Sequence, residues 1–211
     1  MDAMTGEPRS RWERLAGRLT GDAYADHFAQ LAASGHDVHG EAMFCAGLLP
    51  APARVLDAGC GTGRVAIRLA ELGYDTVGVD VDLQMLEVAR KHAPDLVWVA
   101  GDLASLPDVV RTRAPYDLVV LAGNVVPLLA PGTLGAALAG LSEVLAPDGV
   151  LVTGFGLDPA HLPRGCPVTP LEEYDAQADA AGLARTNRFG TWQADPFDPV
   201  DGYVVNVHRA S

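Results

Sequence analysis

Apolar residues recur with two periods along this chain, and the switches between them predict its elements. Residues 8–33 carry two helical stripes, Trp12, Leu15 and Leu19 at i, i+3, i+7, then Tyr24, Phe28 and Leu31 at i, i+4, i+7. A break is expected near Thr20-Gly21-Asp22. Ser34-Gly35 interrupts the pattern, and a helix over 41–49 stops at Pro50-Ala51-Pro52. From there short apolar runs trade places with amphipathic stretches. Strands are predicted at 54–57, 75–80, 96–100, 116–122 and 150–155, and helices at 63–72, 83–91 and 132–145. Asp82 is the expected N-cap of the second of these helices, and 105–111 is a short helix or loop. Past Gly156 a proline-rich loop spans 157–170 and a helix 171–181, and two more strands follow at 185–192 and 203–208. The last alternates imperfectly, as an antiparallel strand inserted beside its neighbour would.

Strands alternating with helices imply an α/β fold whose parallel sheet is covered on both faces, and the apolar strand cores agree. The 211 residues suit a single domain, with 1–40 as a helical cap, either padding for the core or a lid, and 41–211 as the α/β core.

Bulk chemistry then narrows the partners. The chain is 49% hydrophobic and 20% charged, a globular composition, and its net charge of −12 offers no basic stripe for nucleic acid. Cys45, Cys60 and Cys166 are odd in number and scattered, which argues against a disulfide framework and for a reducing cytoplasm. The start, Met-Asp-Ala-Met-Thr-Gly-Glu, lacks the basic and apolar regions of a signal peptide. No apolar run reaches the ~18 residues of a membrane span, since the stretch over 118–129 is broken by Gly123, Asn124 and Pro127.

Residues 55–63, Val-Leu-Asp-Ala-Gly-Cys-Gly-Thr-Gly, run from a strand through a glycine loop into a helix, and Asp80 closes the next strand. A carboxylate there suits a ribose diol, so a nucleoside-containing cofactor is implied. The loop reads Gly59-x-Gly61-x-Gly63, one residue tighter than a dinucleotide fingerprint, with Asp57 just before it. That carboxylate would repel a pyrophosphate and attract an ammonium or sulfonium. A phosphate-binding Gly-Lys-Ser/Thr ending is absent, because Arg64 and Val65 follow Gly63.

Taken in order, 55–63, Val77-Gly-Val-Asp80 with Asp82-Leu-Gln-Met85-Leu, Trp98-Val-Ala-Gly-Asp102-Leu, residues 116–124 and Leu145-Ala-Pro-Asp-Gly-Val-Leu-Val resemble the successive motifs of class I S-adenosylmethionine-dependent methyltransferases. The resemblance covers residues 41–156 and includes a group of small bacterial members. It implies a Rossmann-like three-layer αβα sandwich with a mostly parallel seven-stranded sheet and an antiparallel strand near the C-terminus. It further implies S-adenosylmethionine as cofactor and S-adenosylhomocysteine as product. Gly59 and Gly61 would pass under the methionine and ribose, Asp57 would orient the cationic end, and Asp80, beside Val81, would accept both ribose hydroxyls. Met85 would pack on adenine, Asp102 and the Leu103 amide would read its edge, and the Ala122 carbonyl would hold the methionine ammonium.

The cofactor's sulfonium already activates its methyl group, so direct in-line transfer to a small-molecule acceptor needs a base only if the acceptor starts protonated. No catalytic constellation stands out. His36, Asp37, His39 and Glu41 form a polar cluster, a turn or a substrate contact and not an expected metal site. His161 and Arg164 fall in the loop after the fifth strand, at the edge where ligands of such sheets bind, and read first as an exposed loop and second as contacts to a substrate carboxylate or hydroxyl. His36, His39 and His161 are thus the weak catalytic candidates. Cys166 has no marked base beside it and is not a nucleophile candidate, and His27, His92 and His208 read as structural or solvated. Asn124-Val-Val-Pro127 superficially resembles the Asn-Pro-Pro-Tyr motif of amino-methylating enzymes but lacks its second-position proline and its aromatic residue. The alternatives are a non-catalytic S-adenosylmethionine-binding sensor or partner subunit, and a nicotinamide dehydrogenase, which the loop spacing disfavours. Oligomeric state is not legible.

Overall fold

The computed structural model describes residues 10–15 and 20–210. Leu19 of the first expected stripe, and residues 1–9 of the expected cap, lie outside the described residues. The cap contributes α1 (Arg11–Leu15) and α2 (Gly21–Ala33), with Thr20 as the N-cap accepting from the Ala23 N–H. Next, α3 (Gly40–Leu48) leads to an alternating run of β1 (Arg54–Ala58), α4 (Arg64–Glu71), β2 (Asp75–Asp80), α5 (Leu83–His92), β3 (Val97–Ala100), α6 (Asp108–Arg111) and β4 (Tyr116–Leu121). Then come α7 (Val125–Leu128), α8 (Leu134–Glu143), β5 (Leu145–Gly156), α9 (Leu171–Ala180), β6 (Leu183–Phe189) and β7 (Tyr203–Ala210).

The seven strands lie in the order β3-β2-β1-β4-β5-β7-β6. Only β7 runs against the rest, antiparallel to β5 and β6 on either side. This is the doubly wound, Rossmann-like sheet with its late antiparallel insertion. Chain order reverses between β1 and β4, and the crevice outside the strands' carboxyl ends there is where ligands settle in such sheets. Successive strand residues bury opposite faces: Leu56, Val119 and Leu151 join one core with Leu138, Leu141 and Phe155, while Val55, Leu118, Val120 and Val152 join the other with Ala42, Cys45 and Leu69. Both faces are covered, which accounts for the uninterrupted apolar runs.

Several boundaries differ from expectation. The helix predicted over 132–145 ends at Glu143, and Leu145 starts β5, pairing with Tyr116. The Asp148-Gly149 turn sits inside that strand as an irregularity, with Asp148 at φ 61°. The apolar stretch after β4 hides a helix, α7; Asn124 at φ 67° turns the chain into it, and Pro127 is tolerated because a first-turn N–H needs no helical partner. The strand predicted over 185–192 ends at Phe189, after which Trp192 folds back against Gly154, where a Cβ would come 2.2 Å from the indole. His208 is buried on β7 beside Tyr174, and burial lowers its imidazole to about 4. Among the described residues no helix is long and apolar enough to cross a membrane.

Candidate functional site

The carboxyl ends of β1, β2, β3 and β4 open onto one cleft of about 940 Å3, its mouth included. Asp57, Gly59, Gly61, Asp80, Val81, Met85, Asp102, Leu103 and Ala122 all line it. The tight β1–α4 turn builds its floor. Gly59 and Cys60 donate backbone bonds to the Val79 carbonyl at 2.8 and 3.0 Å, which locks the loop to the end of β2. Gly59, Gly61 and Gly63 all have positive φ, but only Gly61 faces open space. A Cβ on Gly59 would strike Val125 of α7 at 2.5 Å, and one on Gly63 would strike Trp98 at 2.4 Å. The first and third glycines therefore serve packing as well as loop shape, a division the spacing alone does not reveal.

Three carboxylates mark the cleft. Asp80 Oδ2 accepts the Gly61 N–H at 2.7 Å and Oδ1 accepts the Asp82 N–H at 2.8 Å, so the side chain braces the loop it faces. Burial raises its carboxyl, against the pull of those bonds. Asp57 is buried and, among the described residues, accepts one bond, from the Ala66 N–H at 3.0 Å. Burial lifts it to about 7, opposed by that bond and by the charge of Arg64. Asp102 turns the chain after β3, accepting the Ala104 N–H at 2.8 Å.

The N-terminal helices and α7 wall the cleft. Trp12 and Tyr24 line it, as do Leu128, Leu129 and Ala130. Trp12 Nε1 donates to Asp82 Oδ2 at 2.8 Å, and Arg11 donates to the Pro127 carbonyl at 3.0 Å, so α1 bridges the β2–α5 turn and α7. Arg64, first residue of α4, forms a two-pronged pair with Glu41 at 2.7 and 2.5 Å, donates to the Val38 carbonyl and stacks 4.6 Å over Phe28. These contacts pin α2 and α3 to the glycine loop. The sequence registered Arg64 only as the absence of a lysine, and Trp12 and Tyr24 only as members of apolar stripes.

This lining fits a sulfonium nucleoside. Asp57 is a buried carboxylate with a single partner among the described residues, in a cleft that also holds Asp80 and Asp102; Arg64, the cation of the described lining, is already neutralised by Glu41. A cationic ligand offsets the cost of the buried carboxylate, whereas a pyrophosphate would meet net repulsion.

His36, His39 and His161 do not line this cleft. His36 bonds to Ser34 Oγ at 2.9 Å, the Asp37 carboxylate caps the His39 N–H at 2.8 Å, and Glu41 is committed to Arg64. Among the described residues no three His, Cys, Asp or Glu side chains gather as a metal site. Arg164 is exposed, and Cys166 is buried with its thiol 3.5 Å from the Pro127 carbonyl. His161 pairs with Asp158 in the loop beyond β5. Asn124 was missed as a structural post: its Oδ1 accepts the Gly156 N–H at 2.7 Å and its Nδ2 donates to the His161 carbonyl at 3.0 Å. Its position after Gly123 at a strand end was the available signal.

Comparison with known proteins agrees with this geometry. Residues 55–149 match the methyltransferase domain family. The demethylmenaquinone methyltransferase of Renibacterium salmoninarum is 34% identical over 180 residues, covering 74% of this chain and 73% of that protein. The crystal structure of a TehB-like SAM-dependent methyltransferase from Corynebacterium glutamicum is 33% identical and superposes with a TM-score of 0.81, over 90% of this chain and 98% of that one. CalS10, an amino pentose methyltransferase from Micromonospora echinaspora solved with SAM bound, shares the fold at 23% identity and a TM-score of 0.67, over 87% of this chain and 96% of its own.

Proposed function

The chain belongs to the class I S-adenosylmethionine-dependent methyltransferases, and from that premise we propose that it transfers the methyl group to a small-molecule acceptor by direct in-line displacement. The observation that carries this reading is the convergence of Asp57, Asp80 and Asp102, from the ends of three adjacent strands, on one cleft floored by the glycine loop. S-adenosylmethionine supplies a methyl group already activated on a sulfonium. The chain's own residues bind and orient.

In this reading Asp80 accepts the ribose hydroxyls with the lone pairs left over from Gly61 and Asp82. Asp57 faces the cationic end, where the Ala122 carbonyl takes the ammonium. Met85 and Val81 pack on the adenine, and Asp102 with the Leu103 amide reads its edge. Two relatives are named for small acceptors, demethylmenaquinone and a dTDP-linked amino sugar, which supports a small molecule here. The net charge of −12 argues against nucleic acid.

Isothermal titration of the folded protein with S-adenosylmethionine and S-adenosylhomocysteine tests the cleft; both should bind, and binding of neither would sink the proposal. Labelled methyl transfer into a protein-free metabolite extract tests the small-molecule acceptor.

A further inference from the structure

The loop after β5 carries a histidine–aspartate pair that neighbouring strands are shaped to hold. His161 Nδ1 lies 2.9 Å from Asp158 Oδ1, and the same oxygen accepts the Ala160 and His161 N–H groups at 2.9 and 3.1 Å. The bond from His161, above all, keeps the Asp158 carboxyl below its ordinary range. An ionised carboxylate only accepts, so Nδ1 carries the proton and Nε2 of the neutral ring presents a lone pair. Among the described residues Nε2 has no partner, and the side chain is 43% exposed.

Three positions outside the loop make room for this pair. Asn124, after β4, holds the His161 carbonyl and the Gly156 N–H. A Cβ on Gly156, at the end of β5, would stand 2.6 Å from the His161 carbonyl oxygen. A Cβ on Gly202, before β7, would fall 2.1 Å from Asp158 Oδ2 and 2.6 Å from His161 Nδ1. Tyr203 faces the imidazole with ring centroids 6.4 Å apart, its phenol raised by burial and accepting a bond from Trp192 Nε1 at 3.1 Å. The pair is also adjacent to the cleft. Asn124 directly follows Gly123 of the lining, and Leu162, next to His161 in the chain, clusters with Leu128, which lines the cleft, with Trp12 of the lining packed against them.

We infer that His161, oriented by Asp158, is the general base for an acceptor whose nucleophile enters protonated, a hydroxyl or an ammonium. The inference rests on the methyl-transfer reading above. Nε2 takes the proton from the acceptor's O–H or N–H. The electron pair left on that atom forms the bond to the methyl carbon as the carbon–sulfur bond breaks and its pair stays on sulfur. The imidazolium then passes its proton to solvent, leaving methylated acceptor and S-adenosylhomocysteine. Asp158 is a positioning residue, and Tyr203 and Asn124 are the neutral groups facing the ring.

The test uses the full chain, His161→Asn and Asp158→Asn, with S-adenosylhomocysteine affinity as the folding control. Imidazole 15N spectra of the unliganded protein should show the proton on Nδ1, and in Asp158→Asn that single tautomer should be lost. Label from methyl-labelled S-adenosylmethionine is followed into a protein-free metabolite extract across pH, and mass spectrometry of the product assigns oxygen or nitrogen. We expect His161→Asn to bind S-adenosylhomocysteine as the parent does and to lose about 100-fold or more of label transfer. Asp158→Asn should lose transfer by a smaller factor while its S-adenosylhomocysteine affinity stays that of the parent. Wild-type transfer rates in His161→Asn, or a ring whose tautomer is the same with and without Asp158, would overturn the inference. Absence of transfer by the parent chain despite binding would instead remove the methyl-transfer reading itself.

Discussion

Trp12 Nε1 donates to Asp82 Oδ2 at 2.8 Å, while Oδ1 of the same carboxylate caps α5 through the Gln84 and Met85 N–H groups. The N-terminal helix is thereby fastened two residues beyond Asp80, on the turn beside the proposed ribose site. Trp12→Phe keeps most of the packing against the cleft and removes the bond, worth about 0.5–1.5 kcal/mol. S-adenosylhomocysteine affinity should fall roughly two- to tenfold by titration calorimetry, with faster ligand release by stopped flow. An unchanged affinity would mean that the helix only pads the core.

Asp80 holds two backbone donors before any ligand arrives. Asp80→Ala should therefore weaken cofactor binding by roughly 1.5–3 kcal/mol for each charge-assisted bond lost and also loosen the glycine loop. Asp80→Asn keeps one acceptor oxygen and should lose less of both. Calorimetry on the two variants separates them; equal, small losses would place the ribose elsewhere.

The fold was largely legible because its signals are local. Val55–Leu56 and Leu118–Val119 read as buried on both faces and are, and Asp82 caps α5 as its type and position suggest. Most of the cleft lining was legible for the same reason: Asp57, Asp80, Asp102 and Ala122 sit at or just past the ends of apolar strands, and strand order alone brings such ends together. What stayed hidden depends on pairs distant in sequence. Gly63 looks like a ligand-facing glycine until Trp98 is seen beneath it, and Arg64 acquires its role only when Glu41 and Phe28 arrive from other helices. The short α7 was masked because Gly123, Asn124 and Pro127 read as breakers, whereas here they turn the chain and start the helix.

Asp57 couples binding to protons. Its carboxyl is raised to about 7 by burial, while in the unfolded chain it ionises at its ordinary value near 4. Between those values the folded state holds a proton that the unfolded state has lost, so this group's contribution makes stability fall as pH rises from about 4 to about 7. A cationic ligand favours the ionised form. S-adenosylmethionine binding at pH 6 should therefore release a proton to buffer, and its affinity should climb with pH to a plateau above about 7. Asp57→Asn should flatten that dependence; calorimetry in buffers of different ionisation enthalpy reads the proton directly.

Gly78 on β2 faces the indole of Trp98, and a Cβ there would lie 2.5 Å from the ring and 2.9 Å from Cys60 Sγ. The ring cannot retreat freely, since Trp98 Nε1 donates to the Ala93 carbonyl at 2.8 Å. Gly78→Ala should cost about 1–3 kcal/mol in urea unfolding, the usual penalty of overpacking. Trp98→Leu destabilises alone yet should recover part of that loss when combined with it, giving a non-additive double-mutant cycle. Strict additivity would show that the alanine is accommodated elsewhere.

Asn124 combines two duties that substitution can separate. Its φ of 67° is tolerated by asparagine and glycine and costs most other residues about 1–2 kcal/mol, while its amide joins Gly156 to the His161 loop. Asn124→Gly removes the amide without the strain, and Asn124→Ala removes the amide and adds it. Thermal unfolding should rank parent, glycine, alanine in falling stability. Methyl transfer should fall equally in both variants, because both lose the same two bonds to the loop that carries His161. S-adenosylhomocysteine affinity should stay within about threefold of the parent, a difference below ~1 kcal/mol, since Asp57, Asp80 and Asp102 lie on other strands. Transfer that tracked stability instead, with glycine close to the parent, would mean that backbone conformation at this position matters and its amide does not.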